Sequence, residues 1–190
     1  MEELDEAVLR VIAGPEKKSR ILSEEEKLIT AYHETGHALV AHYLPNADPV
    51  HKVSIISRGQ ALGYTITLPT EDKFMVKKRE IMDKLSHMLA GRVAEEIRFD
   101  DITPGASNDL QRATETARRM ITQYGMSENL GPLTFGQDPA QPFVGRDYGM
   151  SQEYSDETAK KIDAEIRRVV DEAYETASRI LTEHREELDK

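Results

Sequence analysis

The chain of 190 residues contains no cysteine and no tryptophan, and aromatic residues make up only 6% of it. Without cysteine there is no disulfide framework and no cysteine-ligated zinc site. No run of about 18 apolar residues occurs, so no segment reads as a bilayer-spanning helix and no membrane contact is expected of this chain. Positive charge is also scarce. Lys and Arg number 25 against 35 Asp and Glu, a formal net charge of −10. That balance excludes a broad electrostatic surface for nucleic acid. The opening MEELDEAVLR is acidic and does not read as a secretion signal. No internal repeat and no low-complexity stretch is present.

What is there reads as mainly α, with a small β-hairpin or short-strand sheet. Residues 2–14 suit a short helix stopped by Gly14-Pro15, followed by a basic linker. Ser23 and Glu26 form a capping box at the start of a second helix, which runs to Pro45. VHKVSIIS and LGYTITLP, between Val50 and Pro69, are rich in β-branched residues and read as two short strands. Helical spacing returns over 77–99 and 107–125. Residues 126–154 gather three of the eight prolines and read as irregular. The segment from Ser155 to Leu188 has the period of one long amphipathic helix. Residues 1–22 are therefore expected to be an N-terminal helix and linker, and 23–190 the main domain.

The second helix carries AYHETGHALVA. Residues four apart share a helix face, so His33 and His37 can direct both imidazoles at one metal ion. Glu34 is rotated about 100° from His33 and can reach a water beside the metal without being a ligand. This is the logic of His-Glu-x-x-His: two nitrogen ligands and a carboxylate general base. The flanking Thr30, Ala31, Tyr32, Thr35, Gly36, Ala38 and Leu39 are uncharged, as a buried motif requires. Gly36 costs a helix interior about 1 kcal/mol, which a close neighbouring group would explain. His42, His51, His87 and His184 read as ordinary surface or packing histidines.

A catalytic zinc site needs a third protein ligand. The metzincin pattern would place Gly at 40 and His at 43, where this chain has Val40 and Tyr43. No Glu lies between Glu34 and Glu71, so a glutamate ligand some twenty to thirty residues on is also excluded. Two acids stand out among those remaining. Asp109 falls in the first turn of a helix, where the dipole favours an ionised carboxylate. Glu95 lies near the apolar stripe of its helix, where a carboxylate must be paired to a metal or to a metal-bound histidine. Local chemistry leaves the two close to equal.

AYHETGHALVA, DPVHKVSIISRGQALGYTITLP, LAGRVAEEI, TPGASNDLQRATETARRMITQYGMS, LGPLTFG and MSQEYSDETAKKIDAEI, in that order, closely resemble the protease domain of the FtsH family of membrane-anchored, ATP-dependent zinc metalloproteases. The resemblance implies a zinc endopeptidase with His33, His37 and Asp109 as ligands of one Zn2+ and Glu34 as general base. Glu95 would be a supporting residue or a rival ligand. It further implies a homo-hexamer, unfolded or membrane-extracted protein substrates, and a place on the cytoplasmic side of a bacterial inner membrane or its organellar equivalent. The chain has no Gly-x-x-x-x-Gly-Lys-Ser/Thr loop, so ATP would act only through an ATPase module outside it, joined through residues 1–22. The alternative from another class is a non-catalytic helical assembly domain with an inert metal site.

Overall fold

The computed structural model describes residues 7, 9–11, 14–17, 22–59, 61–71, 74–135 and 154–190. Ala7 and residues 9–11 are helical; the rest of the expected first helix lies outside the described residues. Gly14 turns the chain with φ +85°, and residues 15–17 run against 57–59 through Lys17 N–H to Ser57 O (2.9 Å) and Gly59 N–H to Pro15 O (3.2 Å).

Helix α1 is Glu24–Tyr43. Ser23 caps it: its hydroxyl accepts from Glu26 N–H at 3.1 Å, and Glu26 returns its carboxylate to Ser23 N–H at 2.8 Å. Pro45 follows Leu44, which closes α1 with its N–H on Val40 O. Strands β1 (Val50–Ser54) and β2 (Tyr64–Thr67) form the expected antiparallel pair, with Val53 opposite Thr65. Helix α2 is Lys78–Phe99 and ends at Asp100 in the left-handed region (φ +51°). A single 3-10 turn, Pro104–Ala106, leads into α3, Ser107–Thr122. Part of the irregular segment, residues 136–153, lies outside the described residues.

The last helix departs from expectation. α4 spans Asp156–Glu183, His184 breaks it at φ −112° and ψ 30°, and a short α5, Arg185–Leu188, follows. The apolar period continues through this point, but a tertiary contact overrides it. The His184 ring stacks on Tyr43 of α1, with centroids 3.6 Å apart and planes within 13°. Tyr43 also donates its hydroxyl to Glu187, and Leu188 turns into the core.

α2 is the central helix, and two clusters close around it. Ile81, Leu85, Met88 and Leu89 pack with Ala113, Ala117, Met120 and Ile121 of α3 and with Ile162, Ile166, Val169 and Ala173 of α4. Ala90, Val93 and Ala94 pack with Val40 of α1 and with Ala177, Ile180 and Leu181 of α4. Each fully buried Leu, Ile or Met contributes about 1.5–3 kcal/mol of transfer free energy. The small residues of α2 face α1 because the two helices nearly touch. A Cβ on Gly36 would lie 2.6 Å from Ala94 Cβ and 2.7 Å from Ala90 O.

Gly36→Ala therefore separates two effects of opposite sign. Intrinsic helix propensity favours Ala by about 1 kcal/mol, whereas overpacking costs about 1–3 kcal/mol. Contact is expected to win. A thermal melt should show Tm lowered, by up to roughly 8 °C for a chain of this size; a raised Tm would contradict the close approach.

Candidate metal centre

His33, Glu34 and His37 project from the middle of α1. The stripe His87, Gly91, Glu95 on α2 runs alongside them, one residue per turn. Glu95 Oε1 lies 2.7 Å from His33 Nδ1. The main-chain oxygen of His87 lies 2.7 Å from His37 Nδ1. Gly91 falls between, and a Cβ there would stand 2.5 Å from Nε2 of both His33 and His37. A side chain at 91 would fill the space the two rings share.

These contacts fix the tautomers. A main-chain carbonyl can only accept, so His37 carries its proton on Nδ1 and donates it to His87 O. Glu95 is 2% exposed, and burial alone would raise its pKa. The hydrogen bonds from His33 and Thr103 outweigh that and hold it below the usual range. It is therefore an acceptor, and His33 also carries a proton on Nδ1. Both Nε2 atoms then face each other across 3.1 Å. Asp109, in the first turn of α3, brings Oδ2 to 3.4 Å from His33 Nε2 and 3.5 Å from His37 Nε2. Thr103 N–H reaches back to Glu95 Oε2 (2.9 Å), tying the loop that delivers Asp109 to the same carboxylate that orients His33.

Two nitrogen lone pairs and a carboxylate oxygen that converge this closely need a positive charge between them. Burial would raise the pKa of Asp109, but its hydrogen bonds to both histidines outweigh this and push it far below the ordinary carboxylate range. Burial would lower the pKa of His33, yet hydrogen bonds to Asp109 and Glu95 push it up to about 9. A proton on His33 is one such charge. The donor set fits a divalent cation in its place. Ligand atoms roughly 2.0–2.2 Å from a tetrahedral zinc stand about 3.3–3.5 Å apart, close to the spacings here. Among the described residues, His33, His37 and Asp109 are the group of metal-binding type that converges in this way.

Glu34 lies beside this group, 6% exposed. Burial raises its pKa, and a 2.7 Å hydrogen bond from the Thr65 hydroxyl to Oε2 partly offsets this. Sequence reasoning missed three of these neighbours. His87 contributes a backbone carbonyl, and its own Nδ1 lies 3.1 Å from His37 O, so the two histidines bridge α1 and α2 reciprocally. Burial lowers the His87 pKa to about 4, so it is a neutral donor there. Thr65 lies on a strand whose composition reported only a strand. Gly91 carries the same signal as Gly36, a glycine inside a helix, but nothing local names the imidazoles it makes room for. His42 and His51 are exposed. Of the other acids, Glu96 accepts from Tyr174 on α4.

The model of peptidase family M41 matches residues 20–190. The chain is 59% identical over 186 residues to ATP-dependent zinc metalloprotease FtsH 1 of Conexibacter woesei, covering 98% of this chain and 28% of that protein. It is 58% identical over 190 residues to ATP-dependent zinc metalloprotease FtsH of Rubrobacter xylanophilus, covering 100% of this chain and 29% of the relative. It is 55% identical over 188 residues to the FtsH 1 protein of a Thermoanaerobacter species, covering 99% of this chain and 31% of the relative. The chain thus spans less than a third of the length of these relatives.

Because His33 is held near 9, loading the site at pH 7.5 must displace its proton. Zinc binding is expected to release about one proton per chain from this group, and affinity to fall about tenfold per pH unit below about 9. Calorimetric titration in buffers of different ionisation enthalpy reads both; affinity independent of pH from 6 to 8.5 would contradict the arrangement.

Proposed function

The chain belongs to peptidase family M41, and on that premise we propose that it performs zinc-dependent hydrolysis of peptide bonds as the proteolytic domain of an ATP-dependent protease. The observation that carries the reading is the convergence of His33, His37 and Asp109 on one point with Glu34 beside it. In this reading His33 Nε2, His37 Nε2 and an oxygen of Asp109 hold the zinc. When bound, zinc supplies a Lewis acid that makes water acidic near neutral pH and polarises a peptide carbonyl.

The chain's own residues do the rest. Glu34 takes the proton from the attacking water and passes it to the departing amine. Burial makes its carboxylate a stronger base than an exposed one. Glu95 and the His87 carbonyl keep the two imidazoles in the tautomer that presents Nε2. One of the strands β1 and β2 would pair with an extended substrate by backbone hydrogen bonds, which read little side-chain chemistry and suit broad specificity. Unfolded or membrane-extracted proteins are the substrates this implies.

Residues 1–22 would then be the junction to an ATPase module, and 23–190 the protease domain. Among the described residues no helix is long and apolar enough to cross a membrane. In the longer protein we place this domain in a homo-hexamer, on the cytoplasmic side of a bacterial inner membrane or its organellar equivalent. Nothing observed favours a non-catalytic assembly domain.

Glu34→Gln keeps the shape of the side chain and removes the base. Hydrolysis of casein by the zinc-loaded chain is expected to fall by about 10²–10⁴-fold, with zinc content unchanged. A fully active variant would sink the assignment.

A further inference from the structure

Glu34 is a buried carboxylate with two oxygens, and its neighbours treat them differently. Thr65 Oγ1 lies 2.7 Å from Oε2 and 3.1 Å from the main-chain oxygen of Glu34 itself. A hydroxyl has one proton to donate, and the nearer, charged acceptor takes it. The hydroxyl is thus pinned between the carboxylate and the helix backbone of the same residue. The terminal torsion of a glutamate is broad and nearly two-fold, so without such an anchor either oxygen could face the metal group.

The fold positions Thr65 for this. It sits within β2, paired opposite Val53, so its backbone is fixed by the sheet. Two residues earlier the chain passes under α1 at Gly63, where a Cβ would come within 2.7 Å of Thr30 Cγ2 and 2.8 Å of Glu34 Cγ. Only a glycine lets the strand enter so close to the stem of Glu34. Thr65 is β-branched and stiff at χ1, which keeps the hydroxyl aimed.

We propose that Thr65 is the positioning residue of the general base: its hydroxyl holds Oε2 of Glu34, leaving Oε1 as the atom that takes the proton from water and returns it to the leaving amine. This rests on the peptidase reading above and adds a residue outside the metal-binding motif, on a different element. The Thr65 hydroxyl bonds to Glu34, and it acts through that residue.

The test is a set of variants on the zinc-loaded chain, assayed with a quenched fluorescent peptide after zinc content and Tm have been measured. Thr65→Val removes the hydroxyl and keeps the shape. Its kcat is expected to fall by about 10–100-fold, part of the about 10²–10⁴ that a general base supplies, with KM within about twofold and zinc retained. Thr65→Ala must show the same loss, which guards against a misfit of the valine methyl. Thr65→Ser restores the hydroxyl and should stay within about threefold of the original chain. In the Glu34→Gln background, Thr65→Val should cost nothing further, since residues acting as a unit are non-additive. A Val variant with unchanged kcat, an equal loss in the Gln background, or a Ser variant as poor as Val would each overturn the inference. An original chain without chelator-sensitive hydrolysis would instead overturn the peptidase reading, and the inference with it.

Discussion

Two glycines let α1 and α2 approach more closely than side chains ordinarily allow. At Gly36 a methyl group would collide with Ala90 and Ala94, and at Gly91 it would collide with the imidazoles of His33 and His37. Because no side chains stand between the helices at these points, the histidines of α1 reach partners on α2 directly. His33 meets Glu95, and His37 meets the backbone of His87. The apolar contacts of Val40 with Ala90, Val93 and Ala94 hold the separation one turn away. The site therefore depends on ordinary core packing. A change that pushed the helices apart would release both rings from the acceptors that orient them.

The same geometry sets the electrostatics. Each imidazole has one nitrogen committed to an acceptor on α2, so the other two nitrogens confront each other. Asp109 arrives from a third helix and makes the point still more negative. An arrangement of this kind is costly unless a cation or proton occupies its centre. The raised His33 pKa reflects that demand, and zinc is the proposed resident. Glu34 escapes this role because it leaves the helix in another direction and finds Thr65. One short helix segment thus presents separate chemistries on two faces: two nitrogens towards α2 and α3, and a carboxylate towards the sheet.

Much of this was legible in the sequence where the signal was local. The Ser23–Glu26 box, the hairpin and the period of α2 and α3 follow from neighbours within a few residues. His33, Glu34 and His37 follow from a spacing of four on a helix. Asp109 and Glu95 were inseparable because each satisfies the local requirements for a ligand. What distinguishes them is tertiary: Glu95 is already held by His33 Nδ1 and Thr103 N–H, on the far side of the ring from Nε2. His87 was read as ordinary because it contributes through a main-chain carbonyl, which any residue type possesses. The break at His184 was invisible because the apolar period runs through it, and only stacking on Tyr43 interrupts it. Thr65 carried no mark beyond its preference for a strand.

In the proposed site Asp109 completes the metal shell while Glu95 serves it through His33. Zinc per chain, measured after dialysis of Asp109→Ala and Glu95→Ala side by side, tests this most directly. Asp109→Ala is expected to emerge nearly free of zinc. Glu95→Ala is expected to retain it, with an affinity weakened by about 10–100-fold, as for loss of a histidine's supporting partner. If instead the Glu95 change empties the site and the Asp109 change leaves it full, Glu95 is the ligand and Asp109 is not.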